Sequence, residues 1–316
     1  MLGRTVEELS TRGIHVVFNK SGSADLAIVI NFVNVPRWVR APQRCLIKVL
    51  QEPVVHNPLT HLFTYRHSAV FDEILTHTPS PVDFRQKRSL PLNGTFVDPR
   101  EVPDNVFEHK RHNLSIVAST LRNLAGHKCR ADFIDDLLAL HPELIEHTFG
   151  HGREKVLQRK IEGVLSYRYS IAIENSSLPS YLTEKFYDCI LAGCVPIYFG
   201  APDVGDYFPS DSFISLPIDD LEKTSQLIAS LSDSDFQKRI PALHEARRLI
   251  REKYSLGSLI LNRYQDSRKL NQRPDRTTFL FRLDGLLAML QRTGVTTQVR
   301  RLARKIHEKV LQTMGN

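Results

Sequence analysis

A short stretch near the middle of the chain carries side chains suited to binding a nucleotide. Glu174 and Asn175 follow the apolar run 169–173, and Glu184 and Lys185 come ten residues later. An ammonium group beside the backbone N–H groups of a helix start suits a phosphate or a pyrophosphate. A carboxylate close by can accept hydrogen bonds from ribose or sugar hydroxyls. The stretch therefore predicts a site for a phosphorylated ligand.

These side chains need a strand, a loop and a helix to position them. The run 169–173 reads as a buried strand, whose end delivers its polar followers to the crevice where open α/β sheets bind ligands. Thr183 precedes a helix that Gly193 can end, and 195–199 is a second buried strand. The pattern predicts half of a nucleotide-binding α/β unit. It also fits the core of an unrelated α/β domain, in which Glu184 is an ordinary first-turn acid.

The order of residues in this unit is distinctive. The string IENSSLPSYLTEKFYDCILAGCVPIYFG, residues 173–200, resembles the donor-binding motif of the α1,3/4-fucosyltransferases, glycosyltransferase family 10, and the chain resembles the bacterial type. In that motif a strand ending in ENS leads to a tyrosine and Thr-Glu-Lys, a helix, and a turn into a Val-Pro strand and a glycine. The resemblance implies that this part of the chain binds a GDP-sugar donor through Glu174, Asn175, Tyr181, Glu184 and Lys185.

Length and composition permit such an enzyme. The chain has 316 residues, of which 41% are hydrophobic and 24% charged, as expected for a globular protein of two domains. We expect an acceptor-binding α/β domain over 1–105, a donor-binding Rossmann-like domain over 106–270, and C-terminal helices with a basic tail over 271–316. The turn-rich segment 91–103 is the expected linker. The α/β class follows from pattern, whereas the resemblance implies two Rossmann-like domains facing across a cleft, the GT-B arrangement.

Glu52 follows the predicted strand 45–50, and Pro53 ends the extended segment. A carboxylate at a strand end lies at the crevice edge, although a solvated surface glutamate fits the same position. The resemblance implies that Glu52 is the general base. Inverting transfer needs a base that takes the proton from the acceptor hydroxyl as its oxygen attacks the anomeric carbon.

Arg130 is the candidate clamp for the diphosphate. The pattern predicts a strand over 114–119, a loop over 123–128 and a helix over 130–140, which Arg130 would open. A guanidinium at a helix start can bind a diphosphate through two hydrogen bonds, and the family places an arginine with a phenylalanine three residues on. A surface arginine beside Asp132 or Asp135 is the alternative.

The sequence predicts no metal site and no cofactor. The four cysteines show no metal-binding spacing, so we expect buried, reduced thiols rather than structural zinc. The single Asp-x-Asp, Asp233 with Asp235, lies between two predicted helices, 219–232 and 233–254, and suits helix capping better than metal binding. We therefore expect sugar transfer without an obligatory metal.

Three further segments have patterns typical of loops or of an apolar helix. We expect 36–44 and 147–160 to be loops, and 277–291 to be an apolar helix.

The formal charge of +7 allows nucleic acid, an anionic membrane or an anionic substrate as partner. Basic residues concentrate in the tail, which reads as a basic amphipathic helix that could hold the protein at the inner face of a membrane, or fold back with a solvated basic face. No run approaches the ~20 apolar residues of a membrane span. We expect a cytoplasmic, bacterial protein without nucleic-acid partners. The basic residues concerned are Arg292, Arg300, Arg301, Arg304, Lys305 and Lys309.

The sequence thus predicts transfer of fucose from GDP-fucose to a hydroxyl of a glycan. We expect this reaction in the synthesis of a surface polysaccharide or lipopolysaccharide, on a lipid-linked acceptor. One alternative is a glycosyltransferase that uses another GDP-deoxyhexose, because sequence alone does not define a sugar pocket. A more distant alternative is a non-enzymatic nucleotide or polyanion binder, whose binding to nucleic acid would fall steeply with salt.

Overall fold

A computed structural model of the chain describes residues 95–269 without a break, together with 22–24, 26–30, 37–42, 46–50, 61, 64, 71–76 and 275–280. The strands are β1 Gly22–Ser23, β2 Ala27–Ile30, β3 Arg37–Pro42, β4 Leu46–Leu50, β5 Glu73–Thr76, β6 His112–Val117, β7 His147–Phe149, β8 Tyr167–Ile173, β9 Val195–Phe199, β10 Ile214–Ser215 and β11 Asp275–Leu280. The α-helices are α1 Ala125–Leu140, α2 Glu184–Leu191, α3 Leu221–Ala229, α4 Asp233–Leu249 and α5 Leu256–Lys269.

The chain divides into two compact units. One comprises Pro91–Ser258 with Met1–Glu7, and the other comprises Glu8–Leu90 with Leu259–Asn316. The first is called the donor unit below, because it contains the sequence motif, and the second is called the N-terminal unit. The predicted α/β class with parallel sheets is confirmed in the described parts of both.

The N-terminal unit contains a parallel sheet in the order β2-β4-β5. Strand β4 is buried along its whole length, as a continuous apolar strand of a parallel sheet should be. A second sheet has the order β1-β3-β11. Two expectations were wrong here, because β3 lies within the segment predicted as a loop and β11 overlaps the start of the predicted helix 277–291. These strands pair with each other antiparallel, so long-range pairing overrides the local pattern.

The donor unit is built on a five-stranded parallel sheet in the order β10-β9-β8-β6-β7. The central strand β8 is buried at almost every position, and it pairs with β6 on one side and β9 on the other. The carboxyl edge of the sheet, where β6, β8 and β9 end, is the edge at which parallel sheets bind ligands. The predicted strand, loop, helix and strand around β8 are confirmed.

Helix α2 begins and ends as its sequence predicts. Thr183 caps its start by accepting a hydrogen bond from the backbone N–H of Lys185, and Gly193 follows its end with a φ of 66°. This left-handed conformation is one that glycine adopts at little cost. The helices predicted over 219–232 and 233–254 are also confirmed as α3 and α4, the latter followed by a π-helical turn, Ile250–Tyr254. Ser232 caps α4, so Asp233 and Asp235 lie in its first turn, as expected.

Two local predictions in this unit were wrong. Helix α1 begins at Ala125, so 125–128 is helical and Arg130 lies in the second turn rather than at the start. The loop predicted over 147–160 begins with β7.

The described part of the segment predicted as a linker, residues 95–103, is held to helix α2. The backbone N–H groups of Phe96 and Val97 donate to Asp188 at 2.9 and 3.0 Å, and Val97 is fully buried.

Within the described part of the chain, no helix is both long and apolar enough to cross a membrane. Cys189 and Cys194 are buried free thiols, as expected, whereas Cys129 is exposed, contrary to expectation. Cys45, the general-base candidate Glu52 and the basic tail lie outside the described residues.

Candidate functional site

Glu174 is held rigidly at the end of β8. Its backbone N–H donates to the carbonyl of Phe199 at 2.8 Å, which extends the pairing with β9 by one residue. The carboxylate is buried and accepts from the backbone N–H of Thr183 at 2.7 Å and from its hydroxyl at 2.6 Å. A Cβ at Gly200 would lie 2.4 Å from Cγ of Glu174, so the glycine leaves the space that this carboxylate needs.

Lys185 joins this carboxylate to a second one. Its Nζ lies 3.1 Å from Oγ1 of Thr183, 3.0 Å from Oε1 of Glu184 and 3.4 Å from Oε2 of Glu174. The ammonium group has three protons, and three protein oxygens surround it. These four residues, Glu174, Thr183, Glu184 and Lys185, are called the lysine cluster below.

The lysine cluster is charged although it is buried. Burial opposes the charged form of Lys185, but the carboxylates of Glu174 and Glu184 outweigh it and raise the pKa of the ammonium group. Burial likewise opposes ionisation of Glu184, but Lys185 and Lys160 lower its pKa to about 2. For Glu174, burial prevails over Lys185 and raises the pKa of the carboxyl group. Lys185 therefore stays protonated with little exposure to water, and the ionised carboxylate of Glu184 balances its charge.

Arg130 reaches the same edge from helix α1. It is buried, and its Nη1 donates to Oδ1 of Asn175 at 2.5 Å, which fixes the amide that follows Glu174. Its Nε is buried and has no hydrogen-bond partner among the residues described. Burial lowers the pKa of this guanidinium, and Glu174 and Glu184 oppose the shift. A buried donor with no partner is costly unless a ligand satisfies it, so Arg130 is suited to receive an anion.

Gly126 explains how α1 comes so close to this loop. A Cβ on Gly126 would lie 1.8 Å from the carbonyl oxygen of Asn175, so any side chain there would push the helix start away from β8. No side chain caps the first turn of α1, and no acidic residue lies in it. The first-turn N–H groups and the positive end of the helix dipole therefore stand beside Asn175.

The loop between β8 and α2 is held in a strained conformation. Ser180 has a φ of 61°, which is unusual for a residue with a side chain. Its backbone N–H donates to Asp203 at 2.7 Å, and its hydroxyl lies 2.7 Å from that of Tyr207. The neighbouring Tyr181 is buried, and its carbonyl accepts from the hydroxyl of Tyr198 at 3.3 Å. Strain maintained by several hydrogen bonds is common where a loop must present groups to a ligand.

Arg153 is a buried cation that sequence reasoning did not select. Its side chain is only 6% exposed, Nη1 pairs with Asp135, and Nε donates to the carbonyl of Ala118, just beyond β6. Its Nη2 is buried without a partner among the residues described. The charge of Arg153 contributes to lowering the pKa of Arg130. No local signal marks this arginine, because its contacts come from a helix and a loop distant in sequence.

The structure thus brings five of the predicted residues to one edge of the sheet. Arg130, Glu174, Asn175, Glu184 and Lys185 are linked by hydrogen bonds or by their charges, whereas Tyr181 lies in the loop between them. The surface-arginine alternative for Arg130 is wrong, because its side chain is buried and Asp132 and Asp135 pair instead with Arg122. The arrangement can bind an anion and neutralise charge that develops on it.

Comparisons with known proteins point to one family for this part of the chain. Residues 108–239 match the family model described as the C-terminal part of glycosyltransferase family 10 (fucosyltransferase). An alpha-(1,4)-fucosyltransferase of Arabidopsis thaliana is 37% identical over 82 residues, which cover 26% of this chain and 20% of the relative. A 4-galactosyl-N-acetylglucosaminide 3-alpha-L-fucosyltransferase 9 of Rattus norvegicus is 26% identical over 226 residues, which cover 66% of this chain and 55% of the relative.

The matches are partial. An alpha-(1,3)-fucosyltransferase B of Drosophila melanogaster is 30% identical over 103 residues, and this chain spans 23% of its length. Among solved structures, an alpha1,3-fucosyltransferase with GDP-fucose aligns over 78% of this chain and 94% of its own, with 16% identity and a TM-score of 0.43. The matched family region contains β6 to β10 and both helices that build the site. Residues 108–239 are therefore similar to the C-terminal part of the glycosyltransferase family 10 (fucosyltransferase) enzymes.

Proposed function

We propose that this protein transfers fucose from GDP-fucose to a hydroxyl of a glycan acceptor, with inversion at the anomeric carbon. The observation that supports this most strongly is the buried guanidinium of Arg130, whose buried Nε has no hydrogen-bond partner among the described residues, at the carboxyl edge of a parallel sheet. Because Arg130 lies in the region that matches the fucosyltransferase family model, the diphosphate of a GDP-sugar is the anion that we propose for it. We propose that the N-terminal unit binds the acceptor, as the acceptor-binding domain of a GT-B enzyme.

The proposed reaction needs charge stabilisation at the leaving group. The acceptor oxygen attacks the anomeric carbon, the bond from that carbon to the β-phosphate oxygen breaks, and its electron pair leaves with GDP. Arg130 and Lys185 stabilise the negative charge that develops on the diphosphate, and Arg153 adds a third cation to the field. Lys185 must exchange at least one of its three protein acceptors for a phosphate oxygen, whereas Arg130 has a buried N–H available.

The remaining residues bind and orient the donor. Asn175, fixed by Arg130, and the loop residue Tyr181 lie beside the proposed diphosphate position, and Glu184 accepts from ribose or sugar hydroxyls. Glu174 holds Thr183 and Lys185 in place and thereby sets the start of α2. We further propose that transfer needs no bound metal, because these cations supply the charge that a metal would otherwise provide.

We propose Glu52 as the base that takes the proton of the acceptor hydroxyl. It stands two residues after β4, a buried strand of a parallel sheet. Glu52→Gln removes the proton acceptor without changing size. We expect turnover to fall by about 10²- to 10⁴-fold while the affinity for GDP-fucose stays unchanged.

The test is a transfer assay with GDP-fucose and a panel of glycan acceptors, with the anomeric configuration of the product assigned by NMR. Glu143→Gln, which alters an exposed glutamate of the donor unit, is the matched control for Glu52→Gln. We expect a β-linked donor to give an α-linked product, with and without EDTA. Retention of configuration, or full turnover by Glu52→Gln, would contradict the proposal.

The same assay separates the donor sugars. Replacing GDP-fucose with other GDP-deoxyhexoses at equal concentration measures kcat/KM for each, and we expect fucose to be preferred.

We also propose that the tail, through its basic residues, brings the enzyme to anionic membranes that carry lipid-linked acceptors. Co-sedimentation with anionic but not neutral vesicles is the expected result, and equal sedimentation with both would contradict it.

A further inference from the structure

Three metal-ligand side chains meet at the amino edge of the donor-unit sheet, opposite the site described above. His112 is the first residue of β6, and Glu146 and His147 stand at the start of the neighbouring strand β7. One ligand atom from each lies within 4.8 Å of the others. Strands β6 and β7 are parallel, which brings their starts to the same edge. A six-residue strand spans about 20 Å, so His112 is remote from the carboxyl edge, whereas the register places His147 opposite Ser115 in the middle of β6.

The carboxylate of Glu146 is positioned by β6. Its Oε1 accepts from the backbone N–H of Asn113 at 2.6 Å, and its Oε2 lies 2.8 Å from Nδ1 of His112. The group is half-exposed, so the contact could be a simple histidine–carboxylate pair. His147 distinguishes the cluster from such a pair, because it places a second imidazole nitrogen beside the two groups, which an ion pair does not require.

His147 is held in the way that metal-binding histidines are. Its Nδ1 lies 2.8 Å from the hydroxyl of Tyr167. When Nδ1 donates its proton to this oxygen, Nε2 carries the lone pair that a metal requires. A fixed partner on the second ring nitrogen is the usual companion of a metal-bound imidazole. The ring of His112 also stacks on Tyr167, with centroids 5.0 Å apart.

We propose that His112, Glu146 and His147 bind a divalent transition-metal ion, with zinc as the best match. Two imidazoles and one carboxylate form a common zinc donor set, with the fourth position left for water. Tetrahedral zinc with these ligands spaces its donor atoms by about 3.3 Å, which lies between the 2.8 Å of His112 and Glu146 and the 4.8 Å limit of the cluster.

The proposed ion has a structural consequence. Strand β7 has three residues and lies at the edge of the sheet beside β6, with an isolated bridge between Phe149 and Lys155 on its other side. A metal that joins the starts of both strands would stabilise the edge by binding the folded state and not the unfolded one. The ion would take no part in sugar transfer, because it lies at the opposite edge.

The test is a titration of the full-length, chelator-treated protein with Co²⁺, whose visible absorption reports tetrahedral coordination, followed by displacement with Zn²⁺. The experiment uses a Cys129→Ser background, so that the exposed thiol does not compete. We expect one equivalent of Co²⁺ to bind and Zn²⁺ to raise the melting temperature. Tyr167→Phe keeps the ring but loses the hydroxyl, and we expect it to weaken binding about tenfold.

Ligand variants decide between a metal site and an ion pair. We expect His147→Gln and Glu146→Gln to abolish the absorption band, whereas His151→Gln, which changes an exposed histidine of the same region, leaves it unchanged. Circular dichroism checks that each variant is folded. No tetrahedral band in the parent protein, or an undiminished band in both ligand variants, would overturn the proposal and leave a histidine–carboxylate ion pair only.

Discussion

A lysine with little exposure to water lies at each end of helix α2, and the pKa values of the two ammonium groups are shifted in opposite directions. At its start, Lys185 lies among the carboxylates of Glu174 and Glu184, which raise its pKa. Beyond its end, Lys110 donates to the carbonyls of Leu165 at 2.8 Å and Ala192 at 2.7 Å. Burial lowers the pKa of Lys110 to about 8.

The difference shows what separates a cation placed for electrostatics from one placed for structure. Backbone carbonyls satisfy the hydrogen bonds of an ammonium group, but they do not repay the cost of burying its charge. Carboxylates offset that cost, so Lys185 keeps a charge that can act on an anionic ligand. Lys110 instead serves as a cap for the last carbonyls of the helix.

The largest expected effect is on turnover. Lys185→Met should lower kcat/KM with GDP-fucose by about 10²- to 10³-fold, because it removes a cation from the leaving-group site. Lys110→Met is the matched control, since it removes a buried lysine at the other end of the same helix. We expect the control to retain turnover within about threefold.

Lys185→Met also leaves two buried carboxylates without a cation, which could unfold the site. The double variant Glu184→Gln with Lys185→Met removes one negative charge along with the positive one and keeps the balance. If the double variant recovers full turnover, the loss in the single variant was structural, and the role assigned to Lys185 is wrong.

Asp188, one turn into α2, should affect stability and leave donor binding unchanged. It is fully buried, accepts from the N–H groups of Phe96 and Val97, and lies 3.0 Å from Nζ of Lys160. Asp188→Ala leaves these donors without an acceptor, so we expect the free energy of unfolding to fall by about 3 kcal/mol. Urea denaturation measures this.

Asp219→Ala, at an exposed position, is the control and should change stability by less than about 0.5 kcal/mol. A folded Asp188→Ala whose affinity for GDP drops more than about threefold would show that the two parts of the helix are not separable.

The smallest effect is on the pH dependence of stability. Lys110 loses its proton near pH 8 in the folded chain, whereas an unperturbed lysine does so near 10.5. Between these values the unfolded chain binds more protons, so stability contributed by this group rises with pH. From pH 7 to pH 9 the rise is about 1 kcal/mol. Lys110→Met should remove it, as measured by urea denaturation at both pH values. The same slope in both proteins would mean that Lys110 titrates normally.

Sequence patterns predicted the parts of the site that are local. The strand β8, the cap at Thr183 and the stop at Gly193 follow from hydrophobic runs and helix-end chemistry within thirty residues. Arg130 lies at the predicted edge of the sheet, but in the second turn of its helix rather than at the predicted helix start. The helix starts one turn earlier, because Gly126 allows its first turn to pack against Asn175, a contact that local sequence does not encode.

Contacts between distant segments were the parts that sequence could not predict. Arg153 depends on Asp135 and Ala118, and His112 meets Glu146 from 34 residues away. The strands β3 and β11 pair although more than two hundred residues separate them, whereas their local sequences were assigned to a loop and to a helix. Tertiary pairing decides such segments, so propensity alone assigns them incorrectly.

The most direct test of the central claim is calorimetric titration of the wild type and of Arg130→Gln with GDP, GDP-fucose and UDP. The account predicts that the wild type binds both guanine nucleotides in preference to UDP, with or without EDTA, and that Arg130→Gln loses about ten- to hundredfold in GDP affinity. Equal binding of UDP, or unchanged GDP affinity in Arg130→Gln, would contradict the assignment of this edge as a GDP-sugar site.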